Sequence, residues 1–194
     1  MKKNNVILAA VALLFVGLLA GALFLYNDLS SRVEPEVLAP QDQTGPDDAN
    51  TASSLPAAPD FTMEDRNSMA VLLSDFHGKP VVLNFWASWC GPCKSEMPAF
   101  EEAFRTYGDR VNFVMVNLTD GSQETLSTAK SFLKNSGYTF PVYFDTRLEG
   151  ASRYGVTGIP ASFFINTEGR VVAAANTALS ADMLDTGIHM ILED

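Results

Sequence analysis

Two cysteines occur in the 194 residues, and both lie in Trp89-Cys90-Gly91-Pro92-Cys93. A thiol pair at that spacing can bind a metal, close a permanent crosslink, or cycle between dithiol and disulfide. A structural zinc site calls for two further Cys or His ligands at similar spacing. The chain offers only His77 and His189, isolated and far apart. A permanent crosslink across so short a loop restricts the unfolded chain little, so stability alone is a weak reason for it. Redox cycling explains more, because of what precedes the pair. The run Val81-Val82-Leu83-Asn84-Phe85-Trp86 is rich in β-branched and aromatic residues, and Pro92 suits the first turn of a helix. Cys90 then stands at a helix N-terminus, where unpaired backbone N–H groups and the helix dipole favour the attacking thiolate over the thiol. Cys93 follows one turn on and within reach, so the pair can close a small ring and reopen it.

The elements that must hold this junction come from Pro59 onward, a stretch long enough for one domain and one core. Residues 60–63 and 70–73 flank a polar turn and predict a short hairpin, after which residues 74–80 deliver the chain into the central strand. His77, beside Gly78, is a solvated turn residue. On the helix that follows Cys90, the side chains of Cys93, Met97, Phe100 and Phe104 share one face, and Glu101, Glu102 and Arg105 lie off it. Pro98 falls inside this helix. Glu96 sits about 60° from Cys93 on the wheel, at the edge of the buried face. Residues 111–117 predict a strand, residues 119–122 a helix start, and residues 123–135 a helix stopped by Gly137. A strand at 142–144, a turn of helix at 151–154 and a loop at 155–160 come next. Residues 161–165 and 170–174 then flank a hairpin turn, and a last helix runs from Ser180. His189 on that helix is a surface residue. The order is that of an α/β fold, a mixed sheet with helices on both faces.

Ahead of this domain, Lys2 and Lys3 precede residues 6–26, which carry no charge. At about 1.5 Å per residue such a helix spans a hydrocarbon layer roughly 30 Å thick. Ala20-Gly21-Ala22 would pass as a signal-peptide cleavage site, but the apolar run continues through Tyr26, and that length favours an uncleaved anchor. The lysines on the short side put the N-terminus in the cytoplasm and the remainder outside. Residues 27–58 hold one basic residue, Arg32, against six acidic ones and have no apolar periodicity, so they read as a linker. The expected organisation is therefore an anchor at 1–26, a disordered acidic linker at 27–58 and a folded domain at 59–194. With 13 basic and 23 acidic residues and a net charge of −10, the chain is a poor match to nucleic acid or anionic headgroups.

The segment Val82-Leu83-Asn84-Phe85-Trp86-Ala87-Ser88-Trp89-Cys90-Gly91-Pro92-Cys93-Lys94 resembles the active-site segment of thioredoxin-like proteins. Gly158-Ile159-Pro160 resembles that family's cis-proline loop, and Glu96 with Met97-Pro98 resembles the TlpA/ResA-type branch of membrane-tethered reductases. The resemblance implies a thioredoxin-like fold that needs no cofactor and no metal. Cys90 would be the attacking and Cys93 the resolving thiol of a redox disulfide, with Trp89, Gly91, Pro92, Ile159 and Pro160 shaping the partner surface. The family often places a buried Asp where this chain has Asn84, which cannot titrate; that departure turns attention to Glu96 as the proton acceptor for Cys93, against the alternative of a solvated helix-edge residue. Residues 122–138 look like the extra strand-and-helix insertion of the TlpA/ResA-type branch. Implied partners are disulfide-bonded exported proteins, of the apocytochrome c type or others, and a membrane electron donor of the CcdA/DsbD type. Gly91-Pro92 between the cysteines, with no His there, favours a reductant. Two other activities of this fold are weaker fits. Its copper carriers use a wider cysteine spacing and a third ligand, and its thiol peroxidases a peroxidatic cysteine in a different motif.

Overall fold

The structure, a computed structural model, describes residues 55–193. The expected anchor and most of the expected linker lie outside the described residues. Its axis is strand β3, with β1 (Thr62–Glu64) and β2 (Ala70–Leu72) preceding β3 (Val81–Trp86). Helix α1 (Gly91–Tyr107), β4 (Asn112–Asn117), α2 (Leu126–Ser136), β5 (Val142–Phe144), α3 (Glu149–Arg153), β6 (Ala161–Ile165), β7 (Val171–Ala175) and α4 (Ala181–Leu192) follow. The seven strands lie in the order β2-β1-β5-β4-β3-β6-β7. β3 runs parallel to β4 and antiparallel to β6, so the sheet is mixed.

All six residues of β3 are buried, as expected of a strand covered on both faces. Val82 and Trp86 point into a core shared with Cys93, Met97 and Phe100 of α1, Ala129 and Leu133 of α2, and Leu184 and Ile188 of α4. Val81, Leu83 and Phe85 point the other way, toward Phe61, Met63 and Leu73. The three long helices thus cover one face. The second is closed by short pieces: a 3-10 turn at Leu73–Phe76, the single turn of α3, and the packed rings of Phe61, Phe85, Tyr154 and Phe163. Helices on both faces hold in that unequal sense.

Three expectations need correction. Glu101 is buried, because its carboxylate accepts hydrogen bonds from Thr139 N–H, Thr139 Oγ1 and Phe140 N–H and pairs with Arg105. α2 begins at Leu126 rather than at residue 123. Asp120 Oδ1 accepts from Ser122 N–H and Glu124 N–H, which holds an Asx-type turn until the Thr125 hydroxyl caps the helix. Residues 122–138 accordingly contain a helix and no strand. Gly137 does end the helix, in the left-handed conformation at φ 72°.

The four residues at the end of the expected linker are not free of the fold. Ala57 bridges Arg170, Ala58 N–H donates to Gly169 O, and Val171 N–H donates to Pro56 O, so residues 55–58 lie along the edge of β7. That contact falls at the end of the sheet away from Cys90. Val171 pairs with Ile165 and Ile165 with Val81, the first residue of β3, whereas Cys90 follows the last. At about 3.3 Å per residue the two ends of β3 are separated by roughly 17 Å.

Candidate functional site

Trp86 ends β3, Ala87-Ser88-Trp89 turns the chain, and Cys90 is the N-cap of α1. One backbone hydrogen bond closes the turn, from Cys90 N–H to Ala87 O at 3.2 Å. The helix starts here because Cys90 is extended (φ −74°, ψ 113°), Pro92 needs no intrahelical donor, and the Cys90 sulfur accepts from Cys93 N–H at 3.1 Å. That contact puts a helix-terminal N–H on the sulfur that would carry negative charge as a thiolate. Cys90 and Cys93 are disulfide-bonded, with Cα atoms 5.3 Å apart.

The residues expected around the pair divide by exposure. Cys93 is fully buried and Cys90 nearly so, while Gly91 and Pro92 are exposed. Trp89 stands 48% exposed, an unusual position for an indole and the principal apolar group beside Cys90. Ile159 is half-buried and Pro160 buried, and the bond between them is cis, as the sequence led us to expect. β6 starts at once after Pro160 and pairs with the end of β3 through Ala161 and Phe85, which brings the loop to the disulfide. Ile159 O lies 3.7 Å from the Cys90 sulfur. His77 is exposed, and His189 is half-exposed beside Asp185 and Glu193 on α4. The structure brings neither histidine to the cysteines, and no group of three or more His, Cys, Asp or Glu among the described residues is placed to hold a metal.

Glu96 is the principal surprise. It is 2% exposed, and the alternative of a solvated helix-edge side chain is therefore excluded. Its Oε1 accepts from the Asn84 amide at 2.9 Å, and its Oε2 accepts from Leu179 N–H at 2.8 Å, just before α4. The same Asn84 amide donates to Ser162 Oγ at 2.9 Å, across the β3–β6 pair in which the two residues stand opposite. Burial pushes the Glu96 carboxyl up to about 7, against the downward pull of the bonds from Leu179 and Asn84. Glu96 lies three residues beyond Cys93 on α1, the spacing of side-chain neighbours along a helix. A carboxyl that changes charge near neutrality, one turn from a buried thiol, can accept that thiol's proton.

Sequence reasoning missed two members of this surround, Ser162 and Glu124. Ser162 could have been found from the β-pairing of residues 161–165 with β3. Glu124, which is fully buried and bonded to Ser88, carried no local signal beyond the Asp120 turn beside it.

Residues 56–174 match the model of the AhpC/TSA family. A thiol-disulfide oxidoreductase ResA of Bacillus subtilis is 36% identical over 135 residues, covering 69% of this chain and 73% of that protein. A ResA of Bacillus cereus is 32% identical over 194 residues, covering 98% and 99%. Among solved structures, StoA from Bacillus subtilis superimposes with a TM-score of 0.59 at 30% identity, covering 68% of this chain and 98% of that one.

Proposed function

Because the chain belongs to the AhpC/TSA family of thioredoxin-like proteins, and within it to the ResA/TlpA-type thiol-disulfide oxidoreductases, we propose that it reduces the disulfides of exported proteins through Cys90 and Cys93. One observation carries this reading. The Cys90 sulfur sits at a helix N-terminus against Cys93 N–H, flanked by exposed Trp89 and by Ile159 O of the cis-proline loop. Such a margin, part apolar and part backbone, suits an extended segment carrying a partner's cysteine.

The Cys90 thiolate attacks one sulfur of the partner's disulfide, and the other leaves as a thiolate. Cys93, losing its proton to the Glu96 carboxylate, then attacks Cys90. The second partner sulfur departs and takes up a proton, and two electrons have passed to the partner while Cys90 and Cys93 are left as a disulfide. Asn84 and Leu179 N–H hold the Glu96 carboxylate in place for this transfer. Trp89, Gly91, Pro92, Ile159 and Pro160 form the docking margin. No cofactor takes part.

The proposed setting is the outer side of the cell membrane, with residues 1–26 as a single-pass anchor, the N-terminus cytoplasmic and residues 27–54 as tether. Substrates in that setting include proteins of the apocytochrome c type. Tethering raises the effective concentration of the domain near a membrane donor of the CcdA/DsbD type that re-reduces it. The contact of residues 55–58 with the start of β7, at the sheet end opposite Cys90, is compatible with a tether that leaves the cysteines unobstructed. Acid-quenched alkylation of growing cells tests this reading. Cys90 and Cys93 are expected largely as thiols, becoming a disulfide when the membrane donor is removed; a disulfide regardless of the donor would contradict it.

A further inference from the structure

The thiol chemistry makes no use of Glu124, yet its carboxylate is fully buried. Among the described residues no Lys, Arg or His side chain pairs with it. Its partners are Ser88 N–H at 2.5 Å on Oε2, and Ser88 Oγ at 3.0 Å and Thr128 Oγ1 at 2.6 Å on Oε1. Burying so polar a side chain costs desolvation that its three hydrogen bonds must offset. What that cost secures is visible at the other end of the bonds. Ser88 is the middle residue of the turn that presents Trp89 and Cys90, and that turn has a single backbone hydrogen bond of its own. Glu124 grips Ser88 at both backbone and hydroxyl, from 36 positions away in the chain.

Glu124 is itself held firmly. Its N–H donates to Asp120 Oδ1 at 2.9 Å, its carbonyl accepts from Gly121 N–H at 3.0 Å, and α2 begins two residues later. The grip therefore ties the active-site turn to the segment between β4 and α2.

We propose that Glu124 is a positioning residue that fixes Trp89 and Cys90 in the orientation needed to receive a protein disulfide. This rests on the reading of Trp89 as the partner surface. A small disulfide needs only access to the Cys90 sulfur, whereas a folded partner must meet the indole and the sulfur together, so loosening the turn penalises the protein substrate more. The readout is the ratio of kcat/KM for insulin to kcat/KM for a small aromatic disulfide, dithiobisnitrobenzoate. Glu124→Ala lowers this ratio about tenfold, chiefly through KM for insulin. Glu124→Gln, which can still accept from Ser88 N–H, restores most of it. An unchanged ratio in Glu124→Ala, or Glu124→Gln no better than Glu124→Ala, overturns the proposal. Hydrogen exchange at the Ser88 amide of the parent protein reads the grip without turnover, even where the Ala variant fails to fold. Slow exchange supports the grip, and exchange as fast as that of exposed loop amides overturns it. A parent protein unable to reduce insulin would instead refute the reductase reading, with the exchange result still deciding the grip.

Discussion

Replacing Cys90 with Ser abolishes reduction of insulin disulfides, whereas replacing Cys93 with Ser converts the protein into a trap that holds its partners covalently. The difference follows from position. Cys90 caps α1 beside the exposed Trp89, and Cys93 is buried one turn along, facing the core. Without Cys90 no thiolate beside the docking margin can open the partner's disulfide, and turnover falls by roughly 10³-fold or more, the scale on which enzymes respond to loss of their nucleophile. Without Cys93 the first attack proceeds but the mixed disulfide is not resolved. Non-reducing electrophoresis and mass spectrometry distinguish the two outcomes, and identical behaviour of both variants would contradict the assigned roles. The trapped species also name the physiological partners.

Glu96→Gln leaves the domain folded and slows resolution of the mixed disulfide, by a factor on the order of 10². The parent's resolution rate rises with pH through a step near 7, where the carboxylate becomes available as a base, and the Gln variant lacks that step. Stability provides an independent check with a definite sign. A carboxyl raised from an ordinary value of 4.5 to about 7 contributes stability that is fully present below about pH 4.5 and lost as pH rises through about 7. The oxidised parent should therefore lose about 3 kcal/mol between pH 4.5 and pH 8 relative to the Gln variant. Denaturant titrations at several pH values measure this. Parallel stability curves together with superimposable rate profiles would reduce Glu96 to a structural group.

The junction of β3 and α1 was legible in the sequence because it is local: an apolar run, a turn and Pro92 determine it within a dozen residues. The cis Ile159–Pro160 bond was reached only through resemblance, since nothing in its neighbours demands it. Glu96 was named, but its environment was not. A helical wheel shows one helix alone, and Glu96 is buried by what closes on it from outside, Asn84 on the sheet, itself bonded to Ser162, and Leu179 ahead of α4. Glu101 was misjudged for the same reason, its cover being supplied by Thr139 and Phe140. Glu124 escaped entirely. The Asp120 turn delays α2 to Leu126 and leaves Glu124 ahead of it, bonded to Ser88 36 positions away. Each of these residues is decided by a contact distant in sequence, which periodicity does not record.

On the proposed function, the Cys90–Cys93 couple donates electrons to partner disulfides. Its reduction potential, obtained by equilibrating the protein with glutathione buffers or with a thioredoxin couple and counting alkylated thiols, addresses this most directly. Gly91-Pro92 between the cysteines, with no His to stabilise the thiolate further, predicts a reducing value in the neighbourhood of thioredoxin's, about −270 mV. A value near about −120 mV, that of a strong disulfide donor, would contradict the account.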